Sequence, residues 1–165
     1  ALQGAFAEHQ VMLEHLELNN KVKVVLVRKE EDLGKCDGLV IPGGESTTIA
    51  LLVSLSDLPD PLKGFVKTKL VRGTCAGAIL LSRMPVGTKK GRQELLGGMS
   101  VTIARNGWDS QVESFEAPLE DPGLKTPEDS FSGIFIHAPV LLSLDQYPEH
   151  PPIQIIARLP ENLVP

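Results

Sequence analysis

The chain has 165 residues, 42% hydrophobic and 22% charged, which is ordinary composition for one globular domain with a core of its own. A net charge of −5 argues against nucleic acid or an anionic membrane surface as partner. Two cysteines give no disulfide framework, the apolar runs are too short to span a membrane, and no signal peptide is visible, so a reduced, cytoplasmic setting is expected.

In chain order, "VMLEHLEL" (residues 11–18) has a loose helical pattern, and "KVKVVLVR" (21–28) is β-branched and dense, predicting a buried strand. "KEEDLGKCD" reads as a polar connector or helical turn. "GLVIPGGEST" predicts a second buried strand ending in a glycine turn, and "TTIALLVSL" a helix with Ser46 and Thr47 as candidate caps. "KLVRGTCAGAILLS" reads as strand, sharp turn and helix. This alternation predicts an α/β fold, a three-layer sandwich with a mainly parallel central sheet. After Arg83 the character changes: residues 87–107 and 110–119 read as paired extended segments, and 131–144 and 152–159 as further apolar strands. No repeat or shift of composition divides the chain, so a single domain over residues 1–165 is expected. Its abrupt "ALQGAFAEH" start and "IIARLPENLVP" end read as those of a fragment.

The chemistry concentrates in "GTCAG". A cysteine between two glycines, after a strand and before a helix, is presented like a nucleophile elbow with sulfur in place of oxygen. The turn pushes Cys75 outward, and Gly73 and Gly77 permit close backbone approach. The helix N-terminus favours an anionic sulfur. The Ala76 N–H is placed to donate to an oxyanion, and Gly44 of "PGGEST" can offer a second N–H without a Cβ in the way. That loop has neither phosphate-binding glycine pattern. Cys36 lacks the turn context and reads as an ordinary thiol. No Cys/His cluster points to a metal, and no cofactor is expected.

Together "IPGGESTT" and "GTCAGAILL" resemble the class I glutamine amidotransferases. With "ALQGAFAEH", "RNGWDSQVESFEAPL" and "GIFIHAPV" the chain resembles, within them, the glutaminase subunits of pyridoxal 5′-phosphate synthase over essentially its whole length. The resemblance implies a Cys75 thiolate that attacks the carboxamide of L-glutamine, releases ammonia and is freed from its thioester by water. It implies Gly44, Glu45, Ser46, Arg105, Ile136 and His137 around the substrate, and a (β/α)8-barrel synthase subunit as partner. It also marks three departures: His137 where the family commonly has Arg, Asp109 where it has Gly, and Arg72 where it has an apolar or aromatic residue.

A cysteine nucleophile needs a base, and the resemblance places one in a late segment where His and Glu stand two residues apart, the Glu orienting the His. This sequence shows no counterpart of that segment, nor the apolar lead of the first strand. The fold is therefore expected to be incomplete at its C-terminus and the chain as given to have little activity. His9 and His15 read as helix-surface residues, His150 as loop, and His137 stands at an Arg position of the family. The alternatives are a non-catalytic regulatory or binding relative, and a glutaminase serving another synthase such as that of histidine biosynthesis. "RN…SQVESFE" and "FIHAP" disfavour the latter.

Overall fold

The computed structural model describes residues 2–15, 22–87, 93–105, 114–119, 131–136, 138–145, 147 and 151–159. The chain begins with α1 (Phe6–His15), which buries none of its residues, and continues to a one-turn helix α2 (Glu30–Leu33). The helix predicted from residue 11 thus starts five residues earlier. Between these helices, residues 22–28 form no strand, with 24–27 half-buried and the rest exposed; the buried strand expected there is not seen. A β-branched run favours extended backbone, but a strand also needs a ladder partner at the right distance.

Strand β1 (Gly38–Ile41) is followed by α3 (Ser46–Leu55), α4 (Pro59–Thr68) and β2 (Leu70–Gly73). Parallel pairing of β1 and β2 sets Ile41 opposite Gly73, so both strands end together at the two glycine turns. α3 buries Ser46, Ile49, Ala50 and Val53, the spacing of one helical face. α4 opens on Pro59, whose fixed φ suits a first turn, and buries Leu62 and Phe65. With Leu33, Ile41, Leu58, Ala76, Leu80 and Leu81 the apolar residues among these make the main core.

α5 (Ala76–Leu81) runs straight into β3 (Ser82–Val86). Beyond lie β4 (Met99–Ala104), β5 (Phe115–Leu119), β6 (Phe131–Phe135) and β7 (Val140–Leu144). β4 pairs in parallel with β3 and antiparallel with β7, and Ile79, Val101 and Ile103 form a second core cluster. β5 pairs antiparallel with β6, not with β4 as the extended segments had suggested, and the Phe115 and Phe135 rings stack at 4.9 Å. Residues 152–159 form no strand beyond an isolated bridge at Arg158. The described strands thus form one parallel pair, one mixed three-stranded sheet and one antiparallel pair. The expected α/β class holds, with parallel pairing where the glycine turns lie. Among the described residues, no helix is long and apolar enough to cross a membrane.

A largely apolar cavity of about 680 Å³ is lined by residues 22–27 and β1, together with Leu2, Phe6 and His9.

Candidate active site

The turn at Cys75 is built by backbone that cannot carry side chains. A Cβ on Gly77 would lie 2.1 Å from the Ile41 carbonyl oxygen, and one on Gly73 2.6 Å from the Gly77 carbonyl carbon. Glycine at both places lets β1, β2 and α5 converge. Thr74 N–H donates to the Ile41 carbonyl at 3.1 Å, and the Thr74 carbonyl accepts from Gly77 N–H at 2.8 Å. Cys75 between them takes φ 49° and ψ −109°, a backbone state that non-glycine residues rarely adopt. Such strain persists only where surrounding contacts over-determine it, and it clusters at functional sites. Its carbonyl accepts from Ala78 and Ile79 N–H, while the residue itself is exposed. Ala76 heads α5, where an N–H has no helical acceptor, so it is free to face a ligand.

The second glycine turn lies alongside. A Cβ on Gly43 would stand 3.3 Å from the Cys75 Cβ, so Gly43, one residue before the predicted Gly44, is the loop's contact with the cysteine. Gly44 has φ 142°, and a Cβ there would meet Gly4 and Gln3. The Gly43 carbonyl accepts from Ala5 N–H at 3.0 Å, so the first residues of the chain latch this loop.

Glu45, not Ser46 or Thr47, caps α3: its carboxylate accepts from Thr48 N–H at 2.8 Å and from the Thr47 and Thr48 hydroxyls. The other carboxylate oxygen meets Arg105 Nη2 at 2.5 Å, across 60 residues of sequence. These hydroxyl and amide donors, the Thr47 hydroxyl first, and the nearby guanidinium hold the Glu45 carboxyl down at about 2. Ser46 is 2% exposed and donates to Gln93 Oε1 at 3.3 Å, so its hydroxyl faces the interior.

Cys75, Gly44, Glu45, Ala76 and Arg105 thus lie on two adjoining turns and one ion pair. Ile136 is 61% exposed just beyond β6, whose pair with β5 no ladder joins to β1–β2 among the described residues. His137, Asp109 and His150 lie outside the described residues. Arg72 is exposed, so it needs no buried partner.

The histidines need two corrections. His9 is not a simple surface residue: it is half-buried, with Nε2 3.2 Å from Thr74 Oγ1. No local pattern could signal a contact 65 residues away. The sequence also holds one His-x-Glu triplet, His15-Leu16-Glu17, early in the chain rather than late. His15 is exposed and bonds the Val11 carbonyl of its own helix at 2.7 Å. It stands six residues beyond His9, roughly 9 Å along the helix axis, and is not at the cysteine turn. Among the described residues, no group of three or more His, Cys, Asp or Glu could hold a metal ion.

Comparison with known proteins finds a family, curated relatives and a solved structure that this chain resembles. The model of the SNO glutamine amidotransferase family matches residues 1–160. A probable pyridoxal 5′-phosphate synthase subunit PDX2 of Arabidopsis thaliana is 42% identical over 97% of this chain, which spans 61% of that relative. The pyridoxal 5′-phosphate synthase subunit PdxT of Chloroflexus aggregans is 42% identical over 88% of the chain and 74% of its own length. A solved structure described as a glutamine amidotransferase superposes with a TM-score of 0.78 at 39% identity, covering 96% of this chain and 77% of its own.

Proposed function

The chain belongs to the SNO glutamine amidotransferase family, and from that premise we propose that it is a glutaminase component of pyridoxal 5′-phosphate synthesis. The observation that carries this reading is the exposed Cys75, held at positive φ between β2 and α5 and set against Gly43. The thiolate attacks the carboxamide carbon of L-glutamine, ammonia leaves, and water cleaves the thioester to glutamate. The Ala76 and Gly44 N–H groups stabilise the oxyanion, the Arg105–Glu45 pair borders the substrate, and Ile136 and His137 contribute to its binding. Ammonia passes to a (β/α)8-barrel synthase subunit in the cytoplasm. The relatives' names support the pathway and the existence of a synthase partner.

The two described histidines bond Thr74 and the Val11 carbonyl, and neither bonds a glutamate among the described residues. The test is glutamate release from glutamine by the purified chain with a pyridoxal phosphate synthase subunit, for the parent and Cys75→Ala. Turnover that survives Cys75→Ala overturns the reading. Glutamine binding with no turnover under any condition favours a regulatory relative.

A further inference from the structure

We propose that His9 is a positioning residue for the cysteine turn, holding the Thr74 side chain so that the Cys75 thiol stays presented. This rests on the reading of Cys75 as the reactive thiol.

Thr74 precedes the strained residue, and its main chain is fully engaged: its N–H goes to Ile41 and its carbonyl takes Gly77 N–H. The hydroxyl is what remains to fix its orientation, and His9 Nε2 lies 3.2 Å from it. The two come from elements far apart in sequence, so the bond ties α1 to the turn. α1 buries none of its residues, so little apolar packing holds it there. A helix held mainly by polar ties transmits their loss directly. Without the bond, Thr74 gains rotameric freedom next to a residue whose conformation depends on its neighbours.

The test reads the thiol itself, so it is independent of glutamate release. Iodoacetamide labelling of Cys75 is followed by peptide mapping, which separates it from Cys36. His9→Ala and Thr74→Val should each slow Cys75 labelling about 2- to 10-fold, the range of one lost net hydrogen bond. The double variant should be no slower than the slower single, because both remove one interaction. His9→Gln, whose amide supplies a donor and an acceptor at similar reach, should label within about 2-fold of the parent. Thr74→Val keeps the side chain's shape, so it carries the test if His9→Ala loosens α1. Parent-like labelling of Thr74→Val overturns the proposal, as does His9→Gln labelling as slowly as His9→Ala. A chain that shows this pattern yet never releases glutamate keeps the inference and loses the proposed function.

Discussion

Substituting Gly77→Ala tests whether the convergence of β1, β2 and α5 is set by backbone contact. The added Cβ would sit 2.1 Å from the Ile41 carbonyl oxygen, 2.8 Å from its carbonyl carbon and 3.1 Å from its Cβ. Ordinary contact for a Cβ starts at 3.4 Å, so α5 and β1 must part by roughly 1 Å, a distance on the scale that forfeits much of a van der Waals well. No rotamer can relieve the clash, because the atoms it meets are main chain and a branched Cβ. Overpacking of this kind costs about 1–3 kcal/mol. Moving Ile41 also weakens its bond from Thr74 N–H, which is worth about 1 kcal/mol. Better helix propensity returns about 1 kcal/mol. The net expectation is a loss of about 2 kcal/mol, or roughly 4–8 °C in melting temperature for a chain of this size. Gly64→Ala is the control. It lies inside α4 with nothing within 4 Å of an added Cβ, so it should gain about 0.5–1 kcal/mol. Urea unfolding followed by circular dichroism gives both values. If Gly77→Ala falls within about 0.5 kcal/mol of the parent, or Gly64→Ala is equally destabilised, the steric reasoning fails.

Further outcomes follow from the same contacts. The Glu45 carboxyl is held at about 2, below its ordinary 4.5, so its contribution is present above that ordinary value and fades as pH falls from 4.5 towards 2. At its half-exposed position this is worth about 1 kcal/mol after allowance for solvent screening. Glu45→Gln should lose that amount at pH 6 and almost none near pH 2, as read from urea midpoints at the two pH values. Burial, with Asp32 and Asp37 nearby, pushes the Cys36 thiol up, whereas Cys75 is exposed. Iodoacetamide at pH 8 should therefore modify Cys75 first, and faster labelling of Cys36 in peptide maps would contradict the assignment of the presented thiol. Leu58, 1% exposed in the main core, should lose about 2–5 kcal/mol on change to Ala; a smaller shift in denaturant midpoint would mean that the core at α3 and α4 is looser than its burial implies.

Much of the cysteine turn was legible because its demands are local. Gly73 and Gly77 flank Cys75 within five residues, and the clashes at both glycines are the physical content of that spacing. The glycine loop was legible for the same reason, although the contact to the cysteine falls on Gly43 rather than Gly44. The cap of α3 was misplaced because short polar side chains are the usual caps, whereas the longer Glu45 reaches back to Thr48 N–H. α4 was passed over, although Pro59 with Leu62 and Phe65 three residues apart is a helix signal. The partner choices of β4 and β5 depend on register between distant segments, which hydrophobic alternation alone does not rank. His9 was misread because the side chain that gives it meaning is 65 residues away.

The tie between His9 and Thr74 and the ion pair between Glu45 and Arg105 close spans of 65 and 60 residues. Between them the cysteine turn depends on chain from the first helix to the end of β4. Loops of this length pay their closure entropy before any contact rewards it, and parallel pairing of the kind that joins β1 to β2 is intrinsically slow. As the polypeptide leaves the ribosome, His9 therefore waits for the 65 residues that separate it from Thr74. The polar ties at the cysteine turn form only once both spans have closed. An incompletely folded chain thus carries an ordinary, unpresented cysteine, and the chemistry switches on only once distant parts of the chain have met.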